Sequence, residues 1–280
     1  MLSGAKAADA KPIDAKPIDA KPIGAKCRAC RDGEALDFAF TMAFQPIVDT
    51  AESRVWGYEA LVRGPEGQSA AAILDRVTDE TRYRFDQAAR VKAIELAGRL
   101  FPKDDATRLS INFMPNAVYE PAACIRASLE AARRVGFEHR RIMFEFTENE
   151  RFRDVPHVKR IVAEYRRQGF LTALDDFGAG YAGLSLLANF RPDLIKIDMD
   201  LLRGIDADAG RSAIVAGLVA IARALGVSVL AEGVETKAEL DALRDLGITL
   251  FQGYHFAKPL FEGLPEVAGF PVSKRSVRAA

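Results

Sequence analysis

The sequence predicts an α/β fold, a TIM-like (β/α)8 barrel, and three observations carry that expectation. The chain has 280 residues, 49% of them hydrophobic and 28% charged, enough apolar material to bury one large core. From Phe40 onward, short runs rich in β-branched and aromatic residues alternate with longer amphipathic stretches, the pattern of strand–helix units around a parallel sheet. Polar residues gather toward the C-terminal ends of those runs, which is where such barrels place their chemistry.

Ahead of the barrel, Ala10–Gly24 is a tandem of AKPID, AKPID and AKPIG. Its prolines forbid regular helix, and a single isoleucine per repeat builds no core. Residues 1–37 are therefore expected to be a disordered leader, with the folded domain spanning 38–280. Cys27 and Cys30 stand in that leader at metal-ligand spacing, but a zinc site needs further ligands and none lies nearby, so two reduced thiols are the expected state.

The predicted strands follow in order. They are a run ending at Asp49 (AFQPIVD), Val55–Arg63, Leu109–Pro115, Ile142–Glu148, Leu171–Phe177, Leu194–Asp198, Val227–Glu235 and Leu250–Phe256. Between them lie helical stretches such as Phe85–Leu100, with apolar residues at three and four spacing, and Arg211–Leu225, closed by Gly226 at a C′ position. The runs after the first contribute, in turn, Glu59, Asn112, Glu145, Asp175 with Asp176, Lys196, Glu232 and Gln252. Neither a strand period nor a helix period demands such a series.

Carboxylates converging at a barrel mouth repel one another and desolvate badly without counter-charge, so they imply bound cations or extensive pairing. Oxygen-only ligands favour magnesium or manganese over zinc. An isolated Glu-Ala-Leu carries almost no information, and a lone Asp-Asp pair is usually solvated. What gives them weight here is that each carboxylate follows an apolar strand-like run.

Composition narrows the partners. Lysine plus arginine and aspartate plus glutamate both number 39, so no overall field recruits a nucleic acid polymer or an anionic membrane. Nothing near Met1 reads as a signal peptide and no run approaches a membrane span. Three cysteines without a regular framework fit a reducing compartment, and a cytoplasmic location is expected.

Several ordered motifs now identify a resemblance. They are Glu59-Ala60-Leu61-Val62-Arg63, Glu145-Phe146-Thr147-Glu148, Asp175-Asp176-Phe177-Gly178-Ala179-Gly180, Lys196-Ile197-Asp198, Glu232-Gly233-Val234-Glu235 and Gln252-Gly253-Tyr254. In this order, with Asn112 in the expected strand, they resemble the EAL-domain phosphodiesterases of cyclic di-GMP signalling across Phe40–Leu264. The resemblance implies a barrel whose first strand runs antiparallel to the rest, a homodimer, and hydrolysis of cyclic di-GMP to linear pGpG. It also implies two divalent cations, one held by Glu59, Asn112, Glu145 and Asp175 and the other by Asp175, Asp176 and Glu232.

Carried over residue by residue, Lys196 would stand near the attacking water, in a catalytic group with Glu232, Asp176 and Glu59. Gln45, Arg63 and Gln252 would contact substrate or help to place the lysine and the water. Glu148 would anchor the loop that carries Asp176. Calcium is expected to inhibit, because its larger radius loosens the geometry. Ala179 stands where the family commonly has threonine, so that hydroxyl is missing from the loop. Two other readings compete: a catalytically inactive cyclic di-GMP receptor, and an unrelated metal-dependent lyase or isomerase on the same fold. The complete ligand set favours the hydrolase over the receptor, and the ordered motifs favour it over the unrelated barrel.

Overall fold

A computed structural model describes residues 36–103, 106–118, 120–147, 155–180 and 183–270. Residues 1–35 of the expected leader, with its AKPID repeats, Cys27 and Cys30, lie outside the described residues, as does Glu148, while Leu36, placed in that leader, packs against the core.

Eight strands close into a barrel: β1 (Thr41–Asp49), β2 (Arg54–Arg63), β3 (Arg108–Asn112), β4 (Ile142–Thr147), β5 (Leu171–Phe177), β6 (Leu194–Ile197), β7 (Ser228–Ala231) and β8 (Leu250–Phe251). β2 through β8 pair in sequence order as parallel neighbours. β1 completes the ring and is antiparallel to both β2 and β8. The cause is local. Only a tight turn separates Asp49 from Arg54, with Ser53 at φ 48°, and a connection that short can join only antiparallel strands, since a parallel pair needs a crossover of a dozen or more residues.

The last two strands are shorter than the sequence runs suggest, because the chain leaves the sheet after Ala231 and Phe251 to form loops over the barrel mouth. A further two-residue strand, β9 (Leu260–Phe261), pairs with β1 at Ala43 and Phe44; nothing in the sequence pattern singled it out.

The helices begin and end on chemistry visible in the sequence. The helix Ala209–Leu225 starts where the Asp208 carboxylate accepts the backbone N–H groups of Gly210 and Arg211, and it stops at Gly226, whose φ of 69° suits glycine. The helix Lys237–Asp245 opens with a capping box between Thr236 and Glu239. No helix among the described residues is long and apolar enough to cross a membrane.

Alternation along the strands divides the core in two. Outward-facing residues such as Phe44, Tyr58, Ile111, Phe144, Leu174 and Ile197 pack beneath the helices. Inward-facing Ile47, Met143, Ala173, Leu194, Leu230 and Leu250 fill the lower barrel, with Trp56 and Leu171 against them. The Arg108 guanidinium lies 4.5 Å from the Trp56 ring, so this end of the barrel is plugged and the open end lies at the C-termini of the parallel strands.

Candidate metal centre

One step above the apolar floor, the inward positions turn polar. Gln45, Glu59, Ser110, Glu145, Asp175, Lys196 and Gln252 are all buried, each on the inner face of its strand or just past its end. The strand registers set them side by side: Gln45 faces Glu59, Glu59 faces Ser110, and Asn112 faces Glu145.

Asp175 and Asp176 need an irregularity to reach the same space, because consecutive strand residues point to opposite faces. The β5–β6 register shifts between Leu174 and Phe177, and Asp176 takes a left-handed φ of 51°, a conformation aspartate tolerates better than most residues. This bulge brings both carboxylates to the mouth, and the Asp176 N–H donates to Asp175 Oδ1 at 3.0 Å. Gly253 does similar work on the far side. A Cβ there would lie 2.0 Å from the Val234 carbonyl, so only glycine lets the segment after Gln252 press against the β7 loop.

Lys196 sits at the centre, 1% exposed. Its Nζ lies 2.7 Å from Glu232 Oε1, 2.9 Å from Glu145 Oε2, 3.1 Å from Asp175 Oδ1 and 3.5 Å from Glu59 Oε2. Neutral side chains hold Glu145 and Glu59 as well. Ser110 Oγ donates to Glu145 Oε1, Asn112 Nδ2 to Glu59 Oε1 at 2.8 Å, and Gln252 Nε2 to Glu59 Oε2 at 2.7 Å. Gln45 joins through its Oε1, which accepts from Gln252 at 3.3 Å.

One ammonium does not neutralise five carboxylates. Burial pushes the Glu145 carboxyl up to about 8 against the pull of Lys196, and the Glu59 and Asp175 charges add to the rise. Burial also drives Glu232 well above the usual carboxylate range, with Asp175 reinforcing it. Asp176 is pushed up to about 6 by burial and then by Asp175 and Asp198. Burial acts to lower Lys196, but Asp175, Glu145, Glu232 and Glu59 together hold it well above the ordinary lysine value.

The donors resolve into two groups, Glu59–Glu145–Asp175 and Asp175–Asp176–Glu232, and within each the ligating oxygens lie within 4.8 Å of one another. An all-oxygen set with excess negative charge fits hard divalent cations. Asp175 belongs to both groups. Beside them lies a cavity of about 300 Å³ whose lining includes Gln45, Glu59, Asp176, Glu232, Gln252 and Tyr254. Gln252 Oε1 is buried with no partner among the described residues, leaving an acceptor free in the wall.

The structure thus brings together Glu59, Asn112, Glu145, Asp175, Asp176, Lys196, Glu232, Gln45 and Gln252. It does not bring Arg63 into that cavity; the Arg63 guanidinium donates instead to the Val62 carbonyl at 2.7 Å. Sequence reasoning missed Ser110, although its place two residues before Asn112 on one strand puts both on the inner face. It also passed over Asp198, Glu235 and Tyr254 as site residues; all three stand inside the quoted motifs and line the cavity.

Comparison with known proteins gives a consistent picture. The family model described as EAL domain matches residues 34–259. The chain is 32% identical over 246 residues to the probable cyclic di-GMP phosphodiesterase PdeG of Escherichia coli K12, covering 83% of this chain and 46% of that protein. It is 31% identical over 226 residues to the blue light- and temperature-regulated antirepressor BluF of the same organism, covering 81% and 56% respectively. The chain therefore spans about half the length of these curated relatives. Among solved structures, a standalone versatile EAL protein from Vibrio cholerae O395 in its c-di-GMP-bound form superposes with a TM-score of 0.80 and 53% identity, covering 83% of this chain and 97% of that one.

Proposed function

This chain belongs to the EAL-domain family, and within it we propose that the chain is a metal-dependent phosphodiesterase hydrolysing cyclic di-GMP to linear pGpG. The observation that carries the proposal is the pair of carboxylate groups sharing Asp175 around Lys196 at the barrel mouth.

Glu59, Asn112, Glu145 and Asp175 would hold one divalent cation, magnesium or manganese, and Asp175, Asp176 and Glu232 a second. When bound, such a pair supplies Lewis acidity, lowering the pKa of an attacking water and offsetting charge as the phosphodiester opens. The chain's own groups do the positioning. Ser110 and Gln252 fix the rotamers of Glu145 and Glu59 by hydrogen bonds, as outer partners do for ligands generally. Lys196, clamped by four carboxylates, is a fixed cation that orients a water and favours charge developing at phosphorus. Gln45 and Gln252 present amides to substrate from the cavity wall. Arg63 is proposed to reach a substrate phosphate, which requires it to exchange its bond to the Val62 carbonyl for the bound anion. Glu148 is proposed, from the family resemblance, to anchor the loop carrying Asp176.

The proposed partners are cyclic di-GMP and a second copy of this chain, working in the cytoplasm. The helix Ala209–Leu225 favours a dimer, because it turns Ala213, Ile214, Gly217, Ala220 and Ile221 outward and exposed, an apolar face that a protein surface usually covers.

The test is turnover of cyclic di-GMP, with pGpG measured by chromatography, in magnesium, manganese, calcium and a chelator. Product in magnesium and manganese, and little in calcium or chelator, is expected. Tight binding of cyclic di-GMP with no product under any metal would replace the hydrolase reading with that of a receptor.

A further inference from the structure

Behind the site, in the apolar layer between barrel and helices, stands a buried polar triad that the proposed reaction does not use. Asp86 is 3% exposed, and Arg90 and Tyr165 are fully buried. Arg90 Nη2 donates to Asp86 Oδ2 and its Nη1 to the Tyr165 hydroxyl at 3.0 Å. Phe144 and Phe113 surround the group; the Tyr165 ring lies 5.1 Å from Phe144 and 5.5 Å from Phe113, centroid to centroid. A buried ion pair in such surroundings is seldom more stabilising than the apolar residues that could replace it. Stability is therefore a weak account of the triad.

Its remaining contact suggests a better one. Asp86 Oδ1 accepts the Met114 N–H at 2.9 Å. Pairing between β3 and β4 runs through Asn112 and Glu145, and the two backbone donors beyond must still be satisfied, the first by the last bond of the ladder and the second from outside it. The Phe113 N–H takes the Glu145 carbonyl at 2.9 Å, and the Met114 N–H takes Asp86. The chain leaving Asn112 is thus pinned at two consecutive residues, one of them by a charged acceptor on the helix Arg82–Leu100.

We propose that Asp86 is a positioning residue of the metal centre, acting through the Met114 N–H to hold the end of β3 so that Asn112 keeps its place against Glu59. Arg90, itself held by the Tyr165 hydroxyl, opposes the burial that pushes the Asp86 carboxyl up and keeps it turned inside an apolar layer. This rests on the reading of the site as a metal centre.

The test compares two double variants with the wild type. Asp86→Leu with Arg90→Met removes the pair without leaving a buried charge. Asp86→Asn with Arg90→Met also removes the ion pair but keeps an oxygen that can accept from Met114. The first is expected to melt cooperatively yet exchange its Met114 amide hydrogen much faster, bind Mn²⁺ about tenfold more weakly, and lose kcat rather than gain KM. The second is expected to return both exchange and Mn²⁺ affinity to within about threefold of wild type. Wild-type Mn²⁺ affinity in the Leu/Met variant overturns the proposal, as does equal impairment of the two variants. Should the wild type bind no Mn²⁺, the reading of the metal centre fails on its own, and Met114 exchange still decides whether Asp86 holds the strand end.

Discussion

The lower and upper interiors of this barrel lie on the same strands, two residues apart, and are filled by opposite chemistry. Met143, Ala173, Leu194, Leu230 and Leu250 form the floor. Two positions further along the same chains stand Glu145, Asp175, Lys196, Glu232 and Gln252. On the reversed strand β1 the order inverts as it should, with Ile47 below and Gln45 above. A rise of about 7 Å separates a layer that gains free energy by leaving water from one that is strained by doing so. Burial of the floor supplies free energy of folding that offsets the cost of keeping like charges together at the mouth.

If the two layers divide stability from chemistry, they should separate under mutation. The largest effect is expected for Glu59→Ala, which removes an oxygen from the first carboxylate group. Turnover of cyclic di-GMP should fall by about a thousandfold, the equivalent of several kcal/mol of lost charge stabilisation, while the melting temperature in chelator holds or rises. Near-normal turnover would take Glu59 out of the chemistry.

Lys196→Met should come next. It leaves four carboxylates without their shared cation, a loss of roughly 3–5 kcal/mol in a metal-free fold, recovered in large part by saturating Mn²⁺. Urea melts with and without the metal measure this, and equal losses under both conditions would contradict it. In the floor, Leu194→Ala should cost about 2–4 kcal/mol through a cavity beneath the site. Its kcat, assayed well below the melting point, should stay within about twofold of wild type. A collapse of kcat in a folded Leu194→Ala protein would show that the two layers are not separable.

The smallest effect is in pH. In the absence of metal, Glu145 is raised from 4.5 to about 8 and Asp176 from 3.8 to about 6. A carboxyl whose folded pKa lies above its unfolded value favours the folded state while protonated. That contribution is complete below the unfolded pKa and is lost as pH climbs through the folded one. The melting temperature in chelator should therefore drift down between about pH 5 and pH 8. Saturating Mn²⁺ should flatten or reverse the drift, since cation and proton compete for the same oxygens. Identical slopes with and without metal would argue that the mouth does not bind the ion.

The barrel's existence was legible because its two signals are local: apolar runs of strand length, and helical periodicity ending on residues such as Gly226. Most of the metal-centre residues were legible for a related reason, since a carboxylate that closes an apolar run is conspicuous. The reversal of β1 was also written in the sequence, in the few residues between Asp49 and Arg54, although counting strands alone passes over it. Ser110 went unnoticed because a serine within a strand looks ordinary until its neighbour is known to be Glu145.

What the residues determined by themselves is composition along each strand: which positions face in, which face out, and where an acidic group follows an apolar stretch. These are set by alternation and solvent preference within a few residues of chain. Only the tertiary structure decided that Lys196 meets four carboxylates, three on different strands and Glu232 just past a fourth, that a register shift turns Asp175 and Asp176 to the same side, and that Arg63 rests on Val62 while Asp86 reaches Met114. Those outcomes depend on strand register, barrel closure and one left-handed residue, and both the Lys196 cluster and the Asp86–Met114 bond join groups far apart in sequence whose meeting no local preference encodes.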